Sequence, residues 1–253
     1  LAIVGFTLCW GAVPVILREL TTSVDAWTAS GVRYPLSALL YWPILWVFYR
    51  NRMFTLRTIW LCAGPAAFAF SAQVLWAWAP YHLPASAIGF FARLTFLWSL
   101  LGAMILFRDE RKLLSTVGFY VGLLLSVGGF VILSISKGLL DANVTWIGIL
   151  IISLFAMFFG LYAVAVRWFL RRVHPMVGFG FVCQYVGLGT LILMFLFGQP
   201  AVLSQLAASR WTLLGISSVL GIAMGHALMY TAVQRMGATI PSAVGTLTPL
   251  VTV

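Results

Sequence analysis

The chain has 253 residues, of which 62% are hydrophobic and 8% charged, and its mean hydropathy is +1.06. A soluble domain is about 45–50% apolar and about a quarter charged, so the composition excludes an ordinary soluble protein. The formal charge of +10 is not arranged as a basic stripe interleaved with aromatic residues, so no nucleic-acid partner is expected.

Apolar runs of about 20 residues, the length that crosses the hydrocarbon core of a bilayer, follow one another along the chain. Charges, prolines and glycine clusters separate nine predicted helical spans, at residues 1–17, 26–48, 59–79, 85–107, 114–135, 145–166, 176–197, 211–233 and 239–253. The first run lacks an initiator Met and no charge closes the last, so we expect both to be incomplete.

The basic residues in the loops between the spans fall mostly on one side of the membrane. Three lie on the other side, namely Arg18, Lys137 and Arg210. The majority side holds Arg50, Arg52, Arg57, Arg108, Arg111, Lys112, Arg167, Arg171, Arg172 and Arg235. The positive-inside rule makes the majority side cytoplasmic, which predicts a multi-pass protein of the inner membrane with a cytoplasmic N-terminus.

An internal repeat relates the two halves of the chain. Residues 83–98 fall without a gap on residues 236–251, an offset of 153 that also sets Gln73 against His226. Earlier, Trp10-Gly11 falls on Phe159-Gly160. Each copy holds five spans, and an odd number of spans inverts the second copy.

The predicted fold is therefore an all-α membrane protein, a ten-helix bundle of two inverted five-helix repeats, whose tenth helix is missing from this chain. The first repeat takes residues 1–136. The second takes residues 145–253 and is truncated in its fourth helix.

Small residues recur at the four-residue spacing of close helix packing in membranes, at Gly118 and Gly122 and again at Gly221 and Gly225. Two interpretations stay open, packing within one chain or a homodimer interface. The three cysteines lie inside apolar runs without metal-ligand spacing, so neither a disulfide, a metal site nor a cofactor is expected.

Several local motifs suggest a family. Trp10-Gly11 in span 1, Arg33 in span 2, the sequence FRDER at 107–111 and IPSAVGTLTPL at 240–250 together resemble the EamA-type members of the drug/metabolite transporter superfamily. The resemblance implies a ten-helix secondary transporter with cytoplasmic termini and a substrate cavity between its halves. It also implies structural or gating roles for Gly11, Gly160, Pro249 and Arg33, and we expect Arg33 to pair with Asp25.

Arg93 lies about eight residues inside the predicted fourth span, where an unpaired guanidinium costs at least about 2.5–3.5 kcal/mol. It must therefore face protein or water. One interpretation is that it binds a carboxylate or another anion in the cavity. The other is a structural arginine that helix-end carbonyls satisfy.

Helical spacing predicts a cavity wall on two symmetry-related faces. Gln73 and Trp76 share a face of span 3, and His226 and Tyr230 share the matching face of span 8. Further candidates for the substrate-binding set are Trp10, Ser242 and Thr246. His226 is the evident proton-carrying group within the spans.

These observations predict alternating-access transport of a small organic metabolite, an amino acid or related compound, through an aromatic-lined cavity, with export as the direction common in the family. The lipid bilayer and a small-molecule substrate are the expected partners. A membrane-embedded scaffold or sensor remains an alternative. An intramembrane enzyme is disfavoured, because the sequence holds no nucleophile, metal or paired-acid motif.

Overall fold

The computed structural model describes residues 1–83, 88, 91–121, 124, 128 and 145–245. Within those residues every regular element is helical, as the composition predicts. Most of the predicted fifth span lies outside the described residues, although residues 117–121 are helical.

Eight helices are described. They are α1 (Ala2–Leu20), α2 (Ala26–Arg50), α3 (Leu56–Trp78), α4 (Leu94–Leu106), α5 (Trp146–Leu170), α6 (Pro175–Phe197), α7 (Ala208–Met236) and α8 (Thr239–Gly245). Short 3₁₀ turns follow α3, α4 and α6 at Ala79–Tyr81, Glu110–Ser115 and Pro200–Gln205. Each helix falls within a few residues of a predicted span, except that α4 covers only the part of the fourth span after a turn at residues 92 and 93.

The helices define two ends of the bundle. At one, which we call the Asp25 end, α1, α3 and α6 finish and α2 begins with Asp25 as its N-cap. At the other, the Glu110 end, α4 and α5 finish and α6 begins behind the His174 N-cap. The caps accept backbone N–H groups that a helix leaves unbonded, so they fix where each helix enters the bundle.

The halves of the sequence pack against each other across the core. Helix α2 packs on α6, α3 on α5, and α1 on α7. The α2–α6 contact is close, since a Cβ added at Gly31 would lie 2.4 Å from Cβ of Met194. Small residues at such crossings let two backbones approach, as helix association in a bilayer requires.

The outer surface of the bundle is apolar. Trp60, Ile105 and Phe195 are 69%, 72% and 67% exposed, and large apolar side chains on α2, α5 and α6 are exposed as well. Among the described residues, α3, α5, α6 and α7 are long and apolar enough to cross a membrane. Helix α2 has the length, 25 residues, but Thr28, Arg33 and other polar residues lower its hydropathy.

Helix α7 contains a π-helical segment at Ser218–Met224. A π-helix widens the turn and misaligns the backbone ladder, which leaves carbonyls available to side chains. Trp10 donates through Nε1 to the Gly221 carbonyl at 3.0 Å, Ser37 donates to Ser218 O at 2.9 Å, and Tyr41 donates to Ala223 O at 2.8 Å. Helices α1 and α2 thus satisfy this segment.

The start of α4 differs from the prediction of an uninterrupted span from residue 85. Residues 92 and 93 form a turn, with Thr95 N bonded to Ala92 O and Phe96 N to Arg93 O at i→i+3 spacing. Residues 88 and 91 are themselves helical, so this turn interrupts the predicted span, and α4 resumes at Leu94 with Arg93 directly before it.

Candidate functional site

A row of aromatic rings runs through the middle of the bundle, between the two halves of the sequence. Trp76 on α3 packs on Phe155, whose ring stacks on Phe159 with centroids 5.4 Å apart. Phe159 contacts Trp10 at 5.7 Å, and Trp10 contacts His226 at 5.2 Å. The predicted residues Trp76, Trp10 and His226 therefore lie in one continuous row.

His226 follows Trp10 in this row and is 5% exposed. Its imidazole stacks on Phe179, with centroids 5.1 Å apart and planes within 3° of parallel. Tyr162 places its hydroxyl 3.4 Å from His226 Nδ1 and donates to the Tyr230 hydroxyl at 3.1 Å. The fully buried Tyr230 thus joins His226 through Tyr162, a residue that the sequence analysis did not single out.

Gln73 does not join the aromatic row. It lines a small cleft between α2, α3 and α6, together with Trp27, Ser30 and Thr190. Trp27 also lines a larger cleft at the Asp25 end, of about 380 Å³. Gln73 and Trp76 are about 60° apart around α3, since three residues turn the helix by about 300°, and in the structure they contact different neighbours.

A polar patch joins α4 to α8. Ser242 donates to the Ser99 hydroxyl at 2.8 Å, and Ser99 lies 3.2 Å from the Ala238 carbonyl. Arg93 is partly buried and donates through Nη1 to the Gly245 carbonyl at 3.4 Å. Thr246 and Pro249, the other predicted residues of this region, lie outside the described residues.

Arg33 is 7% exposed and donates through Nε to the Ser217 hydroxyl at 2.9 Å. The expected pairing with Asp25 is wrong. The Asp25 carboxylate instead caps α2 through Trp27 N and Thr28 N, about 12 Å along the helix from Arg33. Arg33 therefore joins α2 to the residue that precedes the π-helical segment.

The glycines mark close helix contacts. A Cβ at Gly160 would lie 2.5 Å from Thr95 O, so α5 touches the backbone of α4 there. Gly11 is buried in α1. Cβ atoms at Gly221 and Gly225 would meet Val13 and Trp10 at 2.7 and 2.4 Å, so this spaced glycine pair packs on α1 within the chain.

A charged cluster closes the Glu110 end, and the pairing of Arg167 with Glu110 was not predicted from the sequence. Glu110 is 4% exposed and accepts from Ala238 N at 2.8 Å and Thr239 N at 3.1 Å, the entrance of α8. Arg167 of α5 pairs with both Glu110 and Asp109, and its Cζ lies 4.3 Å from the centroid of the Phe107 ring. The only sequence signal for this cluster was that Arg167, Asp109 and Glu110 fall on the same predicted side of the membrane.

Gly237 allows this closure. Its φ of 84° is left-handed, and a Cβ there would lie 2.7 Å from Glu110 Oε1. The nearby Arg167 guanidinium holds the pKa of Asp109 below its usual value. A depressed carboxyl pKa means that this pair stabilises the fold above about pH 4 and that the contribution is lost as the pH falls through the folded-state pKa.

Long apolar helices, an apolar outer surface and an aromatic row between two halves define a multi-pass α-helical membrane protein. Residues 146–253 match the model of the EamA-like transporter family. Over these residues the chain is similar to that family, in agreement with the resemblance to the drug/metabolite transporters that the sequence motifs carry.

The fold has a counterpart among solved structures. A chain titled "Crystal structure of protein" superposes with a TM-score of 0.76 at 15% identity, over 99% of this chain and 84% of that one. At this identity the likeness concerns the fold alone. None of the curated proteins matches the chain.

Proposed function

We propose that the protein is a secondary transporter that moves a small organic metabolite, an amino acid or related compound, across the inner membrane by alternating access. The observation that carries the proposal is the aromatic row, because it lies where α1, α3, α5, α6 and α7 meet and includes residues from both halves of the sequence. The row would line the apolar part of the pathway.

The packing supports two inverted repeats. Suppose that α1 corresponds to α5, α2 to α6 and α3 to α7. The symmetry then turns the contact between α3 and α5 into a contact between α7 and α1, and both contacts are present. The α2–α6 contact maps onto itself, as expected on a pseudo-two-fold axis. Transporters built in this way bind substrate at the repeat interface.

The two ends of the bundle differ, which supports one particular state of the transport cycle. The Asp25 end has a cleft of about 380 Å³, whereas Glu110 and Arg167 join α8 to α5 at the other end. The positive-inside rule puts the Glu110 end in the cytoplasm. In this proposal the structure is open towards the outside, and breaking the Glu110 contacts opens the cytoplasmic side.

Arg93 supplies the anion contact in this proposal. It lies at the turn before α4 and is partly buried next to α8, where its guanidinium donates to the Gly245 carbonyl. A charge-assisted hydrogen bond is worth about 1.5–3 kcal/mol, which is roughly a 10- to 100-fold effect on affinity.

Counterflow uptake into proteoliposomes tests the proposal, with labelled amino acids and small organic cations as substrates. We expect saturable uptake of carboxylate-bearing solutes, and Arg93→Ala should raise the KM for them by about 10-fold or more. Arg93→Lys keeps the charge but loses the bidentate geometry, so its effect should be smaller.

The matched control is Arg172→Ala, which removes an exposed arginine at the Glu110 end and should leave uptake unchanged. Uptake unaffected by Arg93→Ala would keep the transporter and make Arg93 a structural residue. Absence of flux over the whole panel, in protein with an unchanged melting profile, would contradict transport of this substrate class and favour a membrane-embedded scaffold or sensor.

A further inference from the structure

The cleft at the Asp25 end shares no lining residue with the aromatic row and has walls of its own. Trp27 from the start of α2, Trp78 from the end of α3 and Phe197 from the end of α6 form these walls. The Trp27 centroid lies 6.1 Å from that of Trp78 and 5.9 Å from that of Phe197. Three aromatic side chains from three helices therefore surround one opening.

The carboxylate of Asp25 also lines this cleft. Its Oδ1 accepts from Trp27 N and Thr28 N, and its Oδ2 accepts from Gln199 N at 3.1 Å. A carboxylate offers about four acceptor positions, so Oδ2 can accept one more donor. The three backbone contacts hold the anion in place, which lowers the entropy lost when a cation binds.

The remaining lining residues favour a cation over an anion. Tyr81 accepts from Ala26 N at 3.3 Å and lies beside His82, and none of the described residues lining the cleft is a lysine or an arginine. Faces of tryptophan and tyrosine rings attract ammonium groups electrostatically, by about 0.5–2 kcal/mol each. The volume of about 380 Å³ falls in the range of small-molecule sites.

We propose that this cleft is a binding site for a small soluble organic ammonium ion, with Trp27, Trp78 and Phe197 as its aromatic walls and Asp25 as its counter-ion. The site requires neither flux nor the aromatic row. Binding can therefore be measured at equilibrium, and its outcome is separate from that of the transport experiment.

The test is isothermal titration calorimetry of the purified protein in a maltoside detergent, which carries no ammonium group. The probes are choline and its uncharged analogue of the same shape, 3,3-dimethylbutan-1-ol. The titrations are run at about pH 8, where imidazoles are ordinarily neutral. We expect choline to bind at least about tenfold more tightly than the alcohol, the ratio that corresponds to one favourable cation–aromatic interaction.

Two variants separate the aromatic and charge contributions. Trp78→Ala should weaken choline binding by about fivefold or more, and Asp25→Asn should weaken choline binding while leaving the alcohol unchanged. Trp60→Ala is the matched control, since Trp60 is an exposed tryptophan of the same helix about 27 Å from Trp78. It should leave both titrations unchanged.

Equal affinities for choline and the alcohol would overturn the proposal, because the cleft would then be only an apolar recess. Absence of choline binding to the unaltered protein would overturn it as well. Because Asp25→Asn removes a charged cap of α2, a melting curve accompanies each variant. If that variant unfolds, Phe197→Leu replaces it and should lower choline affinity without moving the alcohol by the same factor.

Discussion

The buried polar groups around His226 satisfy one another as a chain. The Tyr162 hydroxyl lies between His226 Nδ1 and the Tyr230 hydroxyl, and all three side chains are buried. A buried group that loses its partner bears the full desolvation cost of about 1–3 kcal/mol. Tyr162, rather than the predicted His226 alone, therefore holds the polar part of the row together.

We expect Tyr162→Phe to lower the free energy of unfolding by about 1–3 kcal/mol, because Tyr230 and His226 each lose a partner. The measurement is denaturant-induced unfolding of the purified protein in detergent micelles. Tyr185→Phe is the control, since that hydroxyl is partly exposed and makes one long contact to Ile59 O. It should change the stability by less than about 0.5 kcal/mol, and equal losses in the two variants would contradict this role.

At the scale of single residues, the sequence predicted which aromatic side chains lie together better than it predicted the hydrogen-bond partners of the polar ones. Trp10, Trp76, His226 and Tyr230 do share one aromatic row, because α1, α3 and α7 face the same interface. The partner of Arg33 was wrong, since Ser217 is 184 residues away in the sequence and no local spacing points to it. Long-range pairs of this kind cannot be obtained from periodicity.

The helix boundaries could be predicted closely, because in a membrane protein charges and prolines mark where an apolar run ends. The capping residues Asp25 and Thr145 precede α2 and α5 as those runs begin. The break before α4 and the π-helical segment of α7 could not be predicted, since both depend on side chains from other helices that bond to the freed backbone.

The charged cluster at the Glu110 end connects the turn after α4 to α5 and α8. We expect its two acidic residues to contribute unequally to stability. Glu110→Gln should lower the free energy of unfolding by about 3 kcal/mol, near the lower limit for breaking a buried ion pair, because Arg167 retains Asp109. Denaturant-induced unfolding of the unaltered protein and the variant measures this change in the free energy of unfolding.

Asp109→Asn provides the comparison, because the Asp109 side chain is 67% exposed and its pairing is screened by water. It should cost less than about 1 kcal/mol. Losses of similar size in Glu110→Gln and Asp109→Asn would show that burial of Glu110 does not determine the strength of the cluster.

For the whole molecule, the apolar exposed belt and the two polar ends fix how the bundle must sit in a bilayer. The ends can be distinguished by chemistry, since Asp25, Glu19 and Arg210 lie at one end and Glu110 and Arg167 at the other. The charge distribution between loops predicts that the Glu110 end is cytoplasmic.

Single cysteines test this orientation. In a background in which Cys9 is replaced by Ser, Ser204→Cys should react with a membrane-impermeant maleimide in intact cells, because Ser204 is exposed at the Asp25 end. Arg172→Cys, exposed at the Glu110 end, should react only after permeabilisation. Cys62 and Cys183 are buried and should stay silent. Reversed labelling of the two positions would place the Glu110 end outside.

The hydrogen bond from Trp10 Nε1 to Gly221 O spans the contact between α1 and the π-helical segment. The chemical shift of an indole proton held in this way depends on the carbonyl and on the neighbouring rings, and the proton exchanges with solvent only when the two helices separate. In a sample with ¹⁵N-labelled tryptophan, the indole resonance of Trp10 would therefore serve as a spectroscopic gauge of the distance between the two halves during turnover, without any attached probe.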